Sequence, residues 1–186
     1  MKLAVYCGSR EGNDPVFADA TRALGRYLAA EGVDVVFGGG HVGLMGILAD
    51  AVLAGGGRVY GVIPEALRDR ELAHSQLTEL HVVADMHQRK ARMAELADGF
   101  LALPGGIGTL EELFEAWTWG QLGFHRKPCG VYDVNGFYEP LFAMARTMQR
   151  YGFLAQEYLD MVIRVRTPEA VVRQFRQYTP PREKWR

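Results

Sequence analysis

Cysteine is scarce in this chain: Cys7 and Cys129 are the only two in 186 residues, and each falls in or beside an apolar run. That excludes a disulfide framework and suits reduced thiols in a cytoplasmic protein. Cys7 reads better as small apolar filler at a strand end than as a nucleophile. Charge of one sign is lacking too, with 21 Lys plus Arg against 22 Asp plus Glu and a net charge of −1. Bulk electrostatics therefore gives no reason to expect nucleic acid or a membrane surface as a partner. No apolar run approaches the roughly eighteen residues that a membrane helix needs. The opening run Met1–Cys7 is too short for a signal-peptide core and reads as a first strand. His41, His74, His81, His87 and His125 are scattered, with no H-x-x-x-H pair and no Cys/His cluster, so no metal is expected. Linkers, repeats and low-complexity tracts are missing as well. Residues 1–178 are expected to form one domain with a substantial core, and 179–186 a departing tail.

What is present is alternation. Short runs rich in Val, Leu, Ile, Phe and Tyr predict strands at 2–7, 33–37, 58–63, 79–84, 99–103, 129–132 and 161–165. Helix-period segments lie between and after them at about 15–31, 43–55, 86–97, 109–123, 137–150 and 167–178. Strands apolar on both faces, separated by helices, predict an α/β fold: a doubly wound, mostly parallel sheet of modified Rossmann type with helices on both faces. The connection from Pro64 to Thr78 is the one long irregular piece, and such loops are often functional lids.

Three of the first five strands end in glycine turns: Cys7-Gly8-Ser9-Arg10, Phe37-Gly38-Gly39-Gly40-His41-Val42-Gly43 running on to Leu44-Met45-Gly46, and Leu103-Pro104-Gly105-Gly106-Ile107-Gly108-Thr109. In a doubly wound sheet such turns meet at the carboxyl edge of the strands, where ligands bind. The third turn runs into a helix, and a loop of bare amides opening a helix is a preformed anion site for which phosphate is the natural occupant. Thr109 reads as the helix cap and Glu112, three residues on, as its capping-box partner, with the carboxylate pointed back toward the loop. Gly38, Gly40 and Gly43 also match a G-x-G-x-x-G fingerprint, with Glu65 about where an acid would hold a ribose; this leaves open an NAD-type binding domain.

The fourth strand is followed by Asp85-Met86-His87-Gln88-Arg89-Lys90-Ala91-Arg92. Asp85 is a ready cap, but Arg89, Lys90 and Arg92 crowd the first two turns, where the helix dipole disfavours cations by ~0.3–1 kcal/mol. Placement against local preference points to an anionic ligand or an opposing carboxylate for Arg89 and Lys90. Arg92 lies nearly opposite Lys90 around the helix and reads as surface.

Pro104-Gly105-Gly106-Ile107-Gly108-Thr109-Leu110-Glu111-Glu112 resembles the P-G-G-x-G-T-x-x-E signature of the LONELY GUY family, often mislabelled as lysine decarboxylases. Met86-His87-Gln88-Arg89-Lys90 resembles that family's M-x-x-R-K element, and Gly38 to Gly46 its G-G-G-x-x-G-x-M-G loop. The similarity runs from Cys7-Gly8-Ser9 to about Phe153. It implies a phosphoribohydrolase that cuts the N-glycosidic bond of cytokinin riboside 5′-monophosphates, and often of AMP, releasing base and ribose 5-phosphate. By the same resemblance Arg89 and Glu112 fall on the catalytic pair. Arg89, Lys90 and Gly106, Ile107, Gly108, Thr109, Leu110, Glu111 and Glu112 fall on the substrate site, together with Glu71 in the long loop and Thr118. The glycine turns add Gly105, Gly8, Ser9, Gly39, Gly40, Gly43 and Met45 to the expected binding surface. No cofactor is implied. A decarboxylase would need a pyridoxal-phosphate lysine, and among Lys2, Lys90, Lys127 and Lys184 none is placed like one. The resemblance also implies a homodimer, in keeping with the aromatic-rich segment Leu113–Phe124. A module that binds a nucleotide or phosphorylated cofactor without cutting it is the other class open to this fold; it would need the glycine turns but not Arg89 and Glu112.

Overall fold

Strand β1 (Lys2–Tyr6) occupies the middle of the sheet because both of its faces are apolar. Leu3 and Val5 point into one core, Ala4 and Tyr6 into the other. The computed structural model describes residues 1–68, 70 and 73–181. Beside β1 lie β2 (Asp34–Phe37) and then β3 (Val59–Pro64) and β4 (Glu79–Val83); on its other side lie β5 (Gly99–Ala102), β6 (Cys129–Tyr132) and β7 (Val162–Val165). Every pairing is parallel. The sheet is thus wholly parallel, and the strand boundaries fall within a residue or so of those expected.

Helices cover both faces. α1 (Pro15–Ala30), α2 (Gly43–Ala54) and α8 (Pro168–Gln177) pack over Leu3, Val5, Val35 and Phe37. α4 (Met86–Leu96), α5 (Ile107–Gln121) and α6 (Glu139–Arg150) pack over Ala4, Tyr6, Val36 and Phe100. The remaining helical pieces are short: α3 (Glu65–Arg68) after β3, a 3-10 turn (Val134–Gly136) after β6, and α7 (Gln156–Leu159) before β7. α1 starts where the sequence allows it to: Asp14 accepts from the Val16 amide at 2.9 Å, and Pro15 takes the first helical position. No helix among the described residues is long and apolar enough to cross a membrane.

The connections after β1 and after β5 leave in opposite directions, which makes the carboxyl end of this strand pair the switch point of the sheet. The described part of the long connection after β3 returns to the same edge. Ala73 bridges Gly40, the His74 amide donates to Gly39 O at 2.9 Å, and His74 Nε2 meets Asp50 Oδ1 of α2 at 2.9 Å. Residues 73 and 74, at the far end of the segment expected as a lid, are therefore docked on the second glycine turn.

Candidate active site

The three glycine turns are stitched to one another by backbone hydrogen bonds. Gly8 N donates to Pro104 O at 3.1 Å, joining the first turn to the third, and Leu44 N donates to Gly8 O at 3.0 Å, joining the second to the first. Such closeness leaves no room for side chains. A Cβ on Gly43 would collide with the backbone of Ser9 and Arg10, and its φ of +59° lies in the left-handed region. A Cβ on Gly105 would collide with the Thr109 hydroxyl.

The third turn corrects one expectation. Gly106, extended at φ −93° and ψ −157°, caps α5, and Ile107 is its first residue. Thr109 is instead a buried residue of the first turn, wedged against Gly105. The Thr109–Glu112 capping box does not form, because glycine takes the cap position three residues earlier than the hydroxyl would. Ile107, Gly108 and Thr109 present first-turn amides with no acceptor within the helix, at the positive end of its dipole. Glu112 lies further along α5 and lines a cavity of about 280 Å³. Glu112 thus belongs to the cavity wall, and the cap of α5 is Gly106.

α4 delivers the opposing charge. Asp85 Oδ1 accepts from Gln88 N at 2.8 Å, and Gln88 Oε1 accepts from Ala84 N at 3.2 Å, a near-reciprocal cap that fixes the helix start. One turn on, Arg89 is only 7 % exposed. Its Nη2 donates to Gly38 O at 3.2 Å, while its buried Nε has no partner among the described residues. A cation so placed, with donor capacity left over, is equipped to meet an anion or a hydroxyl in the cavity. Lys90 turns elsewhere: its Nζ meets Glu111 Oε1 at 2.5 Å and Glu115 Oε1 at 3.1 Å, bridging α4 to α5. Burial works to lower its pKa, but the hydrogen bonds and charges of Glu111 and Glu115 raise it overall. Arg92 pairs with Glu95 at 3.0 Å on the surface, as expected.

The cavity walls carry the imprint of Glu112. Burial raises the Cys7 thiol far above its usual range and Glu112 adds to the rise, so the thiol is no nucleophile. Burial also raises the Tyr6 phenol, with Glu112 the next cause. An adjoining chamber of about 380 Å³ shares Gly8, Ser9 and Gly106 and is walled by Phe17, Leu44 and Phe137.

Of the residues expected at the site, Gly8, Ser9, Met45, Arg89, Gly106, Ile107, Gly108, Thr109, Glu111 and Glu112 line the cavity. Gly105 lines the adjoining chamber. Lys90 does not line the cavity, and Leu110 packs toward the core. Thr118 is exposed on α5. Gly39 and Gly40 hold the returning segment 73–74, and Gly43 serves the contact between turns. Glu71 lies outside the described residues. The G-x-G-x-x-G glycines are thus filled by protein: a Cβ on Gly38 would collide with the Arg89 guanidinium, so that glycine makes room for a side chain and not for a pyrophosphate. Glu65 is exposed at the start of α3. Tyr6, Cys7, Gly38 and Met86 line the cavity without having been expected there. The alternation of β1 sends Tyr6 to the α5 face, a side the sequence of the strand alone does not specify.

The aromatic segment of α5 divides. Trp117 is buried, and its indole N–H donates to Tyr158 O at 2.8 Å. Phe114, stacked on it, is partly exposed, and Phe124 is 75 % exposed.

Comparison with known proteins gives the same reading from a different direction. A family model described as "Possible lysine decarboxylase" matches residues 45–175. A probable cytokinin riboside 5′-monophosphate phosphoribohydrolase of Oryza sativa subsp. japonica is 44 % identical over 190 residues, covering 99 % of this chain and 85 % of its own. A cytokinin riboside 5′-monophosphate phosphoribohydrolase of Arabidopsis thaliana is 45 % identical, covering 96 % of this chain and 82 % of its own. Among solved structures, the molybdenum cofactor binding protein from Rippkaea orientalis shares the fold, with a TM-score of 0.72, 19 % identity and 95 % of each chain covered. Among the described residues no lysine stands free to carry the pyridoxal phosphate that a decarboxylase would need: Lys2 lies over the Tyr60 ring, Lys127 Nζ donates to Ala94 O at 2.6 Å, and Lys90 is held by two carboxylates. The chain belongs to the cytokinin riboside 5′-monophosphate phosphoribohydrolase family, the one whose matching model bears the lysine decarboxylase description.

Proposed function

We propose that the protein is a phosphoribohydrolase that cleaves the N-glycosidic bond of cytokinin riboside 5′-monophosphates and of AMP. The observation that carries this reading is the meeting of Arg89 from α4 and Glu112 from α5 in one cavity, beside the bare amides that open α5. The 5′-phosphate sits on the amides of Ile107, Gly108 and Thr109, with the helix dipole behind them. That anchor holds the ribose over Glu112. As the bond from C1′ to the base nitrogen breaks, positive charge grows on the sugar ring, and the Glu112 carboxylate stabilises it. Glu112 also takes the proton of the water that attacks C1′, help worth ~10²–10⁴ in rate. Arg89 keeps the carboxylate ionised and donates to it or to the ribose hydroxyls. The products are free base and ribose 5-phosphate, with water supplying one hydrogen to the base and a hydroxyl to C1′.

The reading extends to the assembly and the compartment. Met86, Ile107, Phe114 and Phe124 are exposed around α4 and α5, and a homodimer would cover them. Sedimentation showing a monomer at micromolar concentration would remove the dimer. Two buried, unpaired thiols suit the reducing cytoplasm. The activity is tested by incubating the protein with isopentenyladenosine monophosphate, with AMP and with the corresponding nucleosides, then following free base by chromatography. Base is expected from the monophosphates and little from the nucleosides, since phosphate binding positions the sugar. Tight binding of either nucleotide with no base released would make the protein a carrier.

A further inference from the structure

Asp133 follows β6 with its side chain fully buried, and each of its carboxylate oxygens has its own partner. Oδ2 takes Arg164 Nε of β7 at 2.8 Å and Arg164 Nη2 at 2.6 Å. Oδ1 accepts from the Tyr138 amide at 2.8 Å. The chain returns to its own side chain within five residues because Asn135 and Gly136 take φ of +52° and +73°, in the left-handed region. Tyr138 then turns inward, and its hydroxyl donates to Leu103 O at 2.6 Å. Burial raises the Tyr138 phenol, with Cys7 and Asp133 adding to the rise, so the hydroxyl keeps the proton it donates. Phe137, edge-on to Tyr138 with ring centres 5.1 Å apart, walls the chamber beside the cavity.

Leu103 leads into the third glycine turn. On the β1 side the entry to that turn is held backbone to backbone, Leu103 N donating to Tyr6 O at 2.8 Å and Gly8 N to Pro104 O at 3.1 Å. On the β6 side it is held by the Tyr138 hydroxyl. We propose that Asp133 and Arg164 are positioning residues for the phosphate turn: Arg164 fixes the carboxylate, the carboxylate fixes the Tyr138 amide, and Tyr138 holds the Leu103 carbonyl that sets where the amides of Ile107, Gly108 and Thr109 stand. This inference rests on the reading that those amides hold the substrate phosphate. Neither Asp133 nor Arg164 lines the cavity, so their effect on a ligand has to travel along this path. Arg164 Nη2 also meets Glu139 Oε2 at 2.6 Å, and Glu139 Oε1 meets Arg146 at 3.1 Å, which ties the same relay to α6. Charge-assisted hydrogen bonds to a buried carboxylate are strong and directional, as a relay of position requires.

The test compares wild type, D133N, R164M and Y138F with the pairs D133N/Y138F and R164M/Y138F. An asparagine offers one acceptor oxygen to two donors, so either the Tyr138 amide or Arg164 loses its partner. R164M releases the carboxylate without touching Tyr138, and it carries the test if D133N does not fold. Ribose 5-phosphate, the expected product, is not consumed and is titrated by calorimetry. D133N and R164M are each expected to weaken its binding by about tenfold. In the Y138F background the same changes should cost about twofold or less, because the path is already cut. Equal losses in both backgrounds would make Asp133 and Arg164 merely structural and overturn the proposal. Amide 15N shifts of Gly105 to Thr109, recorded without ligand, read the turn separately. They should move in D133N and R164M and stay at their Y138F positions in the pairs. Should wild type bind no ribose 5-phosphate, the phosphate reading fails by itself. The amide shifts then still decide the relay, and a turn unmoved in D133N and R164M overturns it.

Discussion

The guanidinium of Arg89 occupies the space that a side chain on Gly38 would fill, and it donates to the carbonyl of that same glycine at 3.2 Å. A backbone position at the end of β2 is thereby reserved for a side chain from α4, which fixes where the cation stands. Replacing Gly38 by Ala would push the buried guanidinium off its seat. Misplacement by about 1 Å costs on the order of 10²-fold in rate. The Gly38→Ala variant is expected to keep its circular dichroism spectrum while kcat/KM falls by about that factor. An unchanged kcat/KM would detach Arg89 from the reaction.

Tyr138 is 1 % exposed and its hydroxyl donates to Leu103 O at 2.6 Å, pinning the residue that precedes the third glycine turn. A Tyr138→Phe change leaves that buried carbonyl short of a donor, at a cost of about 1–3 kcal/mol. Urea denaturation should show a loss in that range, accompanied by a higher KM for the nucleotide as the turn loosens. A stability loss with KM unmoved would limit Tyr138 to a structural role.

Both thiols should resist alkylation in the folded protein, Cys129 being pushed by burial to about 12 and Cys7 raised further. A thiol whose folded pKa is raised binds its proton longer in the folded state, so its contribution is complete below the unfolded value near 9 and is lost as pH rises toward the folded one. For Cys129 that window is pH 9 to 12, with a slope of about 1.4 kcal/mol per pH unit. The urea midpoint measured at pH 8 and pH 10 should fall for wild type and fall less for Cys129→Ala. Equal falls would remove Cys129 from the alkaline transition.

The Gln76 amide donates to His74 Nδ1 at 3.2 Å, which leaves the ring proton on Nε2, facing Asp50 Oδ1 at 2.9 Å. That pair anchors the returning segment to α2. In an Asp50→Ala variant, hydrogen exchange at His74 and Gln76 is expected to speed up while the amides of β1 stay protected. Unchanged exchange would mean that the bridge from Gly40 to Ala73 suffices.

Much of the fold was legible because parallel strands buried on both faces read as plain apolar runs, as in Val33–Phe37 and Gly99–Leu103. The start of α5 differs from the expectation at Thr109 because a hydroxyl is the more familiar cap, and nothing local marks Gly106 as the residue that takes the position. At the site, Arg89, Glu112 and the glycine turns could be found from local pattern alone. Lys90 could not be separated from Arg89 in that way. Its partners Glu111 and Glu115 come from another helix, and only packing shows that the pair diverges. Gly39, Gly40 and Gly43 carried the same signal as the glycines at the cavity. Their work is to let turns and the returning segment approach one another, a demand set by tertiary contacts.

Because Thr109 is not a helix cap and Glu112 not its partner, a Glu112→Gln change alters the cavity and leaves the cap of α5 intact. Free base released per minute from isopentenyladenosine monophosphate, measured by chromatography for wild type and Glu112→Gln side by side, is therefore the most direct measurement. Wild type should release base together with ribose 5-phosphate. The variant should bind the nucleotide and release base ~10²–10⁴ times more slowly. A variant as fast as wild type would contradict the role of Glu112, and a wild type that binds but releases no base would contradict the hydrolase itself.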